Sequence, residues 1–396
     1  MVPEIRKKYN SIFTEEKFHD FLKDMNAEFN YTIPFRVAES PVFIPKEFKH
    51  KINEACDGII SFLMRDDFKK VSEKAIPAHL NVPNESEHTL FLAIDFGVCK
   101  DENGEINPQL IELQGFPSLF GWQHYLAKKY RQHFYAPENY DHLFSGLDEE
   151  SYVKLLKKSI LGDHEPQYVI LLEIEPKKQN TRIDFLLTEQ MLGVKSVCIS
   201  DIIKEDDKLF YVNKGKIIPI HRIYNRVIFD ELIKRDDLKL NFKMTDDVNV
   251  EWAGHPNWFY RISKYLMPRL KSKYIPPSYF LNELKTIPGD LENYVLKPLF
   301  SFSGSGIKFN VTKEDIDEIE DPENYMLQKK VKYEPVLQSP DEAVKVEVRM
   351  LYLWEPKSPK PELIINMARL SKGEMIGVKY NLNKNWVGGS VGFYET

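Results

Sequence analysis

Apolar residues Phe18, Phe21, Leu22 and Met25 recur at helical spacing and predict a helix over Glu15–Met25. Ile52–Arg65 carries a similar pattern and predicts a second. Thr89–Phe96 alternates and then runs apolar, as a buried strand does, and Gln109–Leu113 predicts another. Between them Lys100–Pro108 is turn chemistry centred on Asn103-Gly104, so the two strands are expected to form a hairpin. Asp95 falls late in its first strand and Glu112 late in its second. Helices are predicted around Gly121–Tyr135 and Ser151–Gly162.

The pattern then changes. Tyr168–Glu173 and Lys195–Ile199 predict strands on either side of a helix over Arg182–Leu192. Leu209–Val212 and Lys216–Ile220 predict a hairpin about Lys214-Gly215, and Arg222–Ile228 a further strand. This alternation predicts a small α/β unit with a parallel core. From Trp252 onward the pattern is α+β. It predicts a helix over Trp258–Leu270, strands over Asn293–Lys297 and Ile307–Val311, and a helix over Lys313–Ile319 with Thr312 as N-cap. Strands follow over Tyr325–Val331, Val344–Trp354 and Glu362–Arg369, and a glycine-containing loop over Trp386–Gly392. The expected division is 1–150, 151–250 and 251–396.

Composition narrows the function classes. The 396 residues are 42% hydrophobic and 29% charged, which is the balance of a globular protein. A formal net charge of −6 gives no general attraction to nucleic acid or anionic membranes, so neither is an expected partner. No apolar run approaches the roughly 20 residues that span a bilayer, and no secretory leader pattern opens the chain. Cys56, Cys99 and Cys198 are odd in number and lack CxxC spacing, so a reduced, cytoplasmic setting is expected.

Three segments carry candidate chemistry, and each also has a plain structural reading. In Val295–Phe309, Lys297 ends a strand and is followed by Ser301, Ser303, Gly304, Ser305 and Gly306. Small residues let backbone N–H groups close over an anion, and the lysine adds a point charge. A serine-rich turn would have the same composition. In Glu323–Pro335, the strand-to-linker crossing at Gln328, Lys329, Lys330 and Val331 offers backbone groups to an adenine edge, or is an ordinary strand end. In Ile111–Pro117, Glu112 and Gln114 share a strand face; with Asp95 they offer oxygens to a hard cation such as Mg2+, or form a polar sheet edge.

Taken together these segments resemble the ATP-grasp fold. YVLKPLFSFSGSG resembles its phosphate loop, YMLQKKV its adenine hinge, and IELQGFP its E-x-N-x-x-P metal element. The metal element precedes the phosphate loop here, which resembles the circularly permuted branch of eukaryotic glutathione synthetase and bacterial glutathionylspermidine synthetase. The resemblance implies an α+β, circularly permuted ATP-grasp fold with the small α/β unit inserted as a substrate domain. It implies ATP and Mg2+ as cofactors, with Asp95, Glu112 and Gln114 on the metal. Lys264, Lys297, Ser303, Gly304, Ser305 and Gly306 would hold the phosphates, and Gln328, Lys329, Lys330 and Val331 the adenine. Gly388 and Gly389, with Ser390, resemble a lid loop, while Arg369 and Arg226 resemble arginines that hold the substrate. The implied partners are a small-molecule or peptide carboxylate and an amine, in a monomer or homodimer.

This chain departs from the family at three points. Gln114 stands where the pattern has Asn, Ala93 where it has Arg, and Pro298–Gly306 contains no acidic residue where the branch has a further metal-ligand Glu. The implied activity is carboxylate–amine ligation through an acyl phosphate, with ADP and phosphate released. A phosphotransferase and a non-catalytic nucleotide-binding protein are the alternatives.

Overall fold

The computed structural model describes residues 1–300, 306–373, 376 and 381–396. Its centre is an antiparallel sheet in the order Gly388–Ser390, Glu362–Ser371, Ala343–Leu353, Phe91–Lys100, Ile106–Gln114, with Pro335–Gln338 also paired to Ala343–Leu353. The hairpin from the first third of the chain thus lies against strands from its last sixty residues. The turn of that hairpin is fixed by Asp101, whose Oδ1 accepts from the Asn103 and Glu105 amides at 3.0 and 2.9 Å. Gly104 sits there at φ +80°, a conformation that glycine takes at least cost.

Period-two alternation divides this sheet into two chemistries. Leu92, Ile94, Phe96 and Val98 face the main core, as do Val344, Val346, Val348 and Met350 of the neighbouring strand. The intervening positions put Asp95, Glu347 and Arg349 on the other face. Ala368 and Leu370 face the core and Arg369 does not. A register shift after Asp95 leaves Ile111 as the extra residue, so Leu110 and Leu113 both reach the core and Glu112 stands opposite Asp95.

A smaller antiparallel sheet joins Ser278–Phe280, Tyr325–Lys329 and Tyr294–Pro298. Leu281, Leu296, Val311, Ile316 and Leu327 form its own core on one side. Lys297 and Gln328 alternate away from that core. Thr312 caps the helix Lys313–Asp317, as the sequence predicts, and Asp315 returns the hydrogen bond; the helix ends two residues short of the expected Ile319. Residues 307–311 do not form the expected strand: Lys308 makes only an isolated bridge to Leu296.

The predicted α/β unit forms a parallel sheet in the order Glu251–Ala253, Arg222–Asn225, Val169–Glu173, Lys195–Cys198. The helix Arg182–Leu192 has the predicted bounds. The hairpin Lys208–Asn213/Lys216–Ile220 turns through positive φ at both Lys214 and Gly215, the two-residue turn expected there. Trp258–Leu270 is not one helix. It is a short helix Asn257–Arg261 and a 3-10 segment Lys264–Arg269, parted where Ser263 Oγ caps the second piece by accepting from the Tyr265 amide at 3.2 Å. Among the described residues no helix is long and apolar enough to cross a membrane.

Candidate functional site

The polar face of the central sheet holds Asp95, Glu112, Gln114 and Arg369, the small sheet holds Lys297 and Gln328, and Lys264 lies on the 3-10 segment between them in sequence. Arg349 stands in register with Asp95 and donates to both of its oxygens, Nε to Oδ1 at 2.7 Å and Nη2 to Oδ2 at 2.6 Å. Arg369 Nη2 donates to Asp95 Oδ2 at 2.8 Å and also contacts Glu347 Oε1. Tyr333 donates its hydroxyl to Glu347 Oε2 at 2.8 Å. Glu112 Oε1 accepts from Gln114 Nε2 at 2.6 Å and lies 3.5 Å from Arg349 Nη2. Lys264 Nζ is 3.8 Å from Glu112 Oε2.

Gly115 explains how Lys264 reaches Glu112. A Cβ at this position would lie 2.4 Å from the Trp258 carbonyl oxygen, so only glycine lets the 258–262 segment approach, and its amide then donates to Ile262 O at 2.9 Å. A cleft open to solvent lies beside this junction. Glu112, Gln114, Phe116, Phe259, Lys264 and Phe300 are among its walls. Arg226 packs on one of these walls: its guanidinium lies 5.0 Å from the Phe116 ring centroid, and Nη1 donates to Pro117 O at 3.0 Å.

Charges decide the character of this cluster. Burial alone would raise the Glu112 carboxyl, but Lys264, Arg349, Arg369 and Lys297 outweigh it and hold the group down at about 2. Burial and the neighbouring Lys264 bring the Lys297 ammonium down to about 8, against the pull of Glu112 and Glu347. Burial raises the Glu347 carboxyl, despite Arg369.

Several donors here have no acceptor. Arg369 Nε, Gln328 Nε2 and Arg226 Nε are buried nitrogens without a hydrogen-bond partner. Such groups are scarce in folded proteins, because each loses its hydration without replacement. All three belong to residues singled out from the sequence, and all three would be satisfied by an acceptor-rich ligand.

Other expectations fare differently. Lys297 and Gln328 meet directly, with Nζ donating to Oε1 at 2.5 Å. The amides of Lys329 and Lys330 are committed to Pro277 O and Asn293 O, at 2.8 and 2.7 Å, so neither is open to an adenine edge; Val331 lies just beyond the strand. Gly306 turns at φ +73° against Pro298, while Ser303, Gly304 and Ser305 lie outside the described residues. Gly388 and Gly389 are not a lid loop. They belong to the edge strand Gly388–Ser390, with Gly389 in register with Arg369, and Gly389 also exchanges backbone hydrogen bonds with Arg36 and Ala38. Opening this strand would break pairing on both of its edges.

The residues of the expected metal set are engaged by protein groups. Asp95, Glu112 and Gln114 do converge, but their geometry does not fit Mg2+. Asp95 is fully buried under two guanidinium groups, and Gln114 turns its amide nitrogen toward Glu112. Among the described residues no cluster of three His, Cys, Asp or Glu side chains forms a metal site. Sequence reasoning missed Arg349, Glu347 and Tyr333. The signal was present: Lys345, Glu347 and Arg349 are charges at every second position of a strand whose other residues are apolar or aromatic, and Glu347 and Arg349 lie in its buried part.

No family model matches this chain, and no curated protein does. Among solved structures, a glutathione synthetase-like effector from Globodera pallida, in its apo form, matches at a TM-score of 0.58 and 11% identity, over 96% of each chain. The chain has a glutathione synthetase-like fold. At that identity the likeness speaks for the backbone arrangement and leaves the chemistry to the residues above.

Proposed function

We propose that this chain binds ATP between the small sheet and the polar face of the central sheet, and that it is an ATP-grasp carboxylate–amine ligase. The observation that carries the reading is the convergence of Lys264, Lys297 and Arg369 on Glu112, which borders the cleft, with unpartnered donors at Arg369 Nε and Gln328 Nε2. Lys264 and Lys297 offset phosphate charge as the γ-phosphoryl group moves to a carboxylate. Arg369, tied at Nη2 by Asp95 and Glu347, keeps Nε for the substrate carboxylate, and Arg226 serves the acceptor side of the cleft. An amine then attacks the acyl phosphate. Positioning and electrostatics suffice, so no side-chain nucleophile is needed. The substrates in this reading are a small-molecule or peptide carboxylate and an amine.

The test is a substrate screen with ATP, with and without Mg2+, in which hydroxylamine traps acyl phosphate and the nucleotide product is identified. The ligase reading expects ADP and a trapped hydroxamate; AMP as product refutes it. A second reading, nucleotide binding without turnover, is favoured by the arginines that seal Asp95. It predicts ATP binding with no ADP released in the same screen.

A further inference from the structure

The three carboxylates of the cluster have six oxygens, and each already faces a protein donor. Arg349 and Arg369 hold both oxygens of Asp95. Gln114 and Arg349 flank Glu112 Oε1, and Lys264 flanks Oε2. Arg369 and Tyr333 hold the two oxygens of Glu347. A divalent cation held by Asp95 or Glu347 must strip hydrogen bonds from a fully buried carboxylate, and at Glu112, the one that borders the cleft, it must sit beside Lys264 and Arg349. Four cations, Arg349, Arg369, Lys264 and Lys297, face these three carboxylates, and with Asp230, which acts on Lys264, the described charges balance before any ligand arrives. The phosphate loop supplies no carboxylate to tip that balance.

We propose that the Arg349 guanidinium takes the place of a protein-held metal ion, so that this site binds a nucleoside triphosphate without any divalent cation. Arg349 spends Nε and Nη2 on Asp95, and among the described residues its Nη1 meets no acceptor. The Asp95 contact fixes the plane of the group, so Nη1 is presented in a set direction at no further cost in side-chain order. A guanidinium is permanently charged and donates along directions that match phosphate oxygens, which is what a bridging cation otherwise contributes. The inference rests on the nucleotide reading above and adds the cation requirement to it.

The experiment is calorimetric titration of the full chain with ATP, in EDTA and in excess Mg2+. Affinity in EDTA is expected to stay within about threefold of that in Mg2+, and Arg349→Leu is expected to lose at least about tenfold of it, the scale of one charged hydrogen bond. Arg349→Lys, which keeps the charge, is expected to hold an affinity between the two and guards against a folding defect in the leucine variant. Binding that needs Mg2+ in the parent overturns the inference and leaves the nucleotide reading standing. Arg349→Leu binding in EDTA as tightly as the parent also overturns it. No ATP binding in either buffer overturns both.

Discussion

Lys297 and Gln328 are joined across neighbouring strands of the small sheet, Nζ to Oε1 at 2.5 Å, and the other end of the same amide, Nε2, is buried without an acceptor. The pair is therefore half of an arrangement. A lysine inside the protein holds its charge against burial, and the amide that steadies it has a donor left for a ligand.

The first prediction concerns that lysine. Its folded value of about 8 lies below the 10.5 of an exposed lysine, through burial and Lys264. Between these values the unfolded chain holds a proton that the folded chain has released, so stability rises with pH across the window. The contribution is complete above 10.5 and lost as pH falls through 8, with a span on the order of 3 kcal/mol. Urea unfolding from pH 7.5 to 10 should show this slope in the parent and not in Lys297→Met. A bound polyphosphate favours the charged form, so ATP binding at pH 8.5 should take up a proton, read as a dependence of calorimetric enthalpy on buffer ionisation heat. Identical heats in all buffers would count against Lys297 as a phosphate contact.

Gly97 and Tyr333 give a packing prediction. A Cβ on Gly97 would come within 2.7 Å of the Tyr333 ring, whose hydroxyl holds Glu347. Gly97→Ala should cost about 1–3 kcal/mol by overpacking. Tyr333→Phe should cost about 1–3 kcal/mol by leaving Glu347 Oε2 without its donor. Because one ring is responsible for the clash, Gly97→Ala should cost much less in a Tyr333→Ala background. Additive costs in the denaturation midpoints would show that the ring is not where the structure puts it.

How much of this was legible in the sequence depends on the range of the contacts. Period-two alternation is local, so the hairpin and the shared face of Glu112 and Gln114 follow from it, and the structure adds the register that sets Asp95 opposite Glu112. The break at Ser263 was not legible as a break, because Phe259, Ile262 and Leu266 keep a helical rhythm across it. Gly388–Ser390 resembles a loop in composition. What makes it a strand is pairing with Ala368–Leu370 and with residues near Arg36, some 350 positions away. Arg349 was overlooked because apolar neighbours dominate its strand, although a charge in such a strand needs a buried partner and so signals one.

Asp95→Asn tests the ion pairs directly. Asp95 is fully buried and balances Arg349 on one side and Arg369 on the other. Removing its charge leaves Arg349 with only the longer contact to Glu112 and Arg369 with only Glu347, and breaking a buried pair from one side costs about 3–5 kcal/mol. Asp95→Asn should be destabilised by that order in urea unfolding, and adding Arg349→Met should restore part of it. A loss below about 1 kcal/mol would mean that solvent or a neighbouring carboxylate already serves these arginines.

The last prediction separates binding from chemistry at Arg369. Its Nη2 is anchored by Asp95 and Glu347, which fixes the group beside the phosphate lysines, and its Nε is the buried donor left over. Lysine at this position can keep a charge near Glu347, but it has no second nitrogen to donate once the first is anchored. ATP contacts in the proposed site come from Lys264, Lys297 and Arg349, so nucleotide affinity should change little in Arg369→Lys. The carboxylate substrate loses its donor, and kcat/KM for the acid should fall about ten- to a hundredfold, the scale of one charged hydrogen bond. Equal losses in ATP affinity and in acid turnover would place Arg369 among the structural ion pairs alone. Unchanged turnover would remove it from the substrate site altogether.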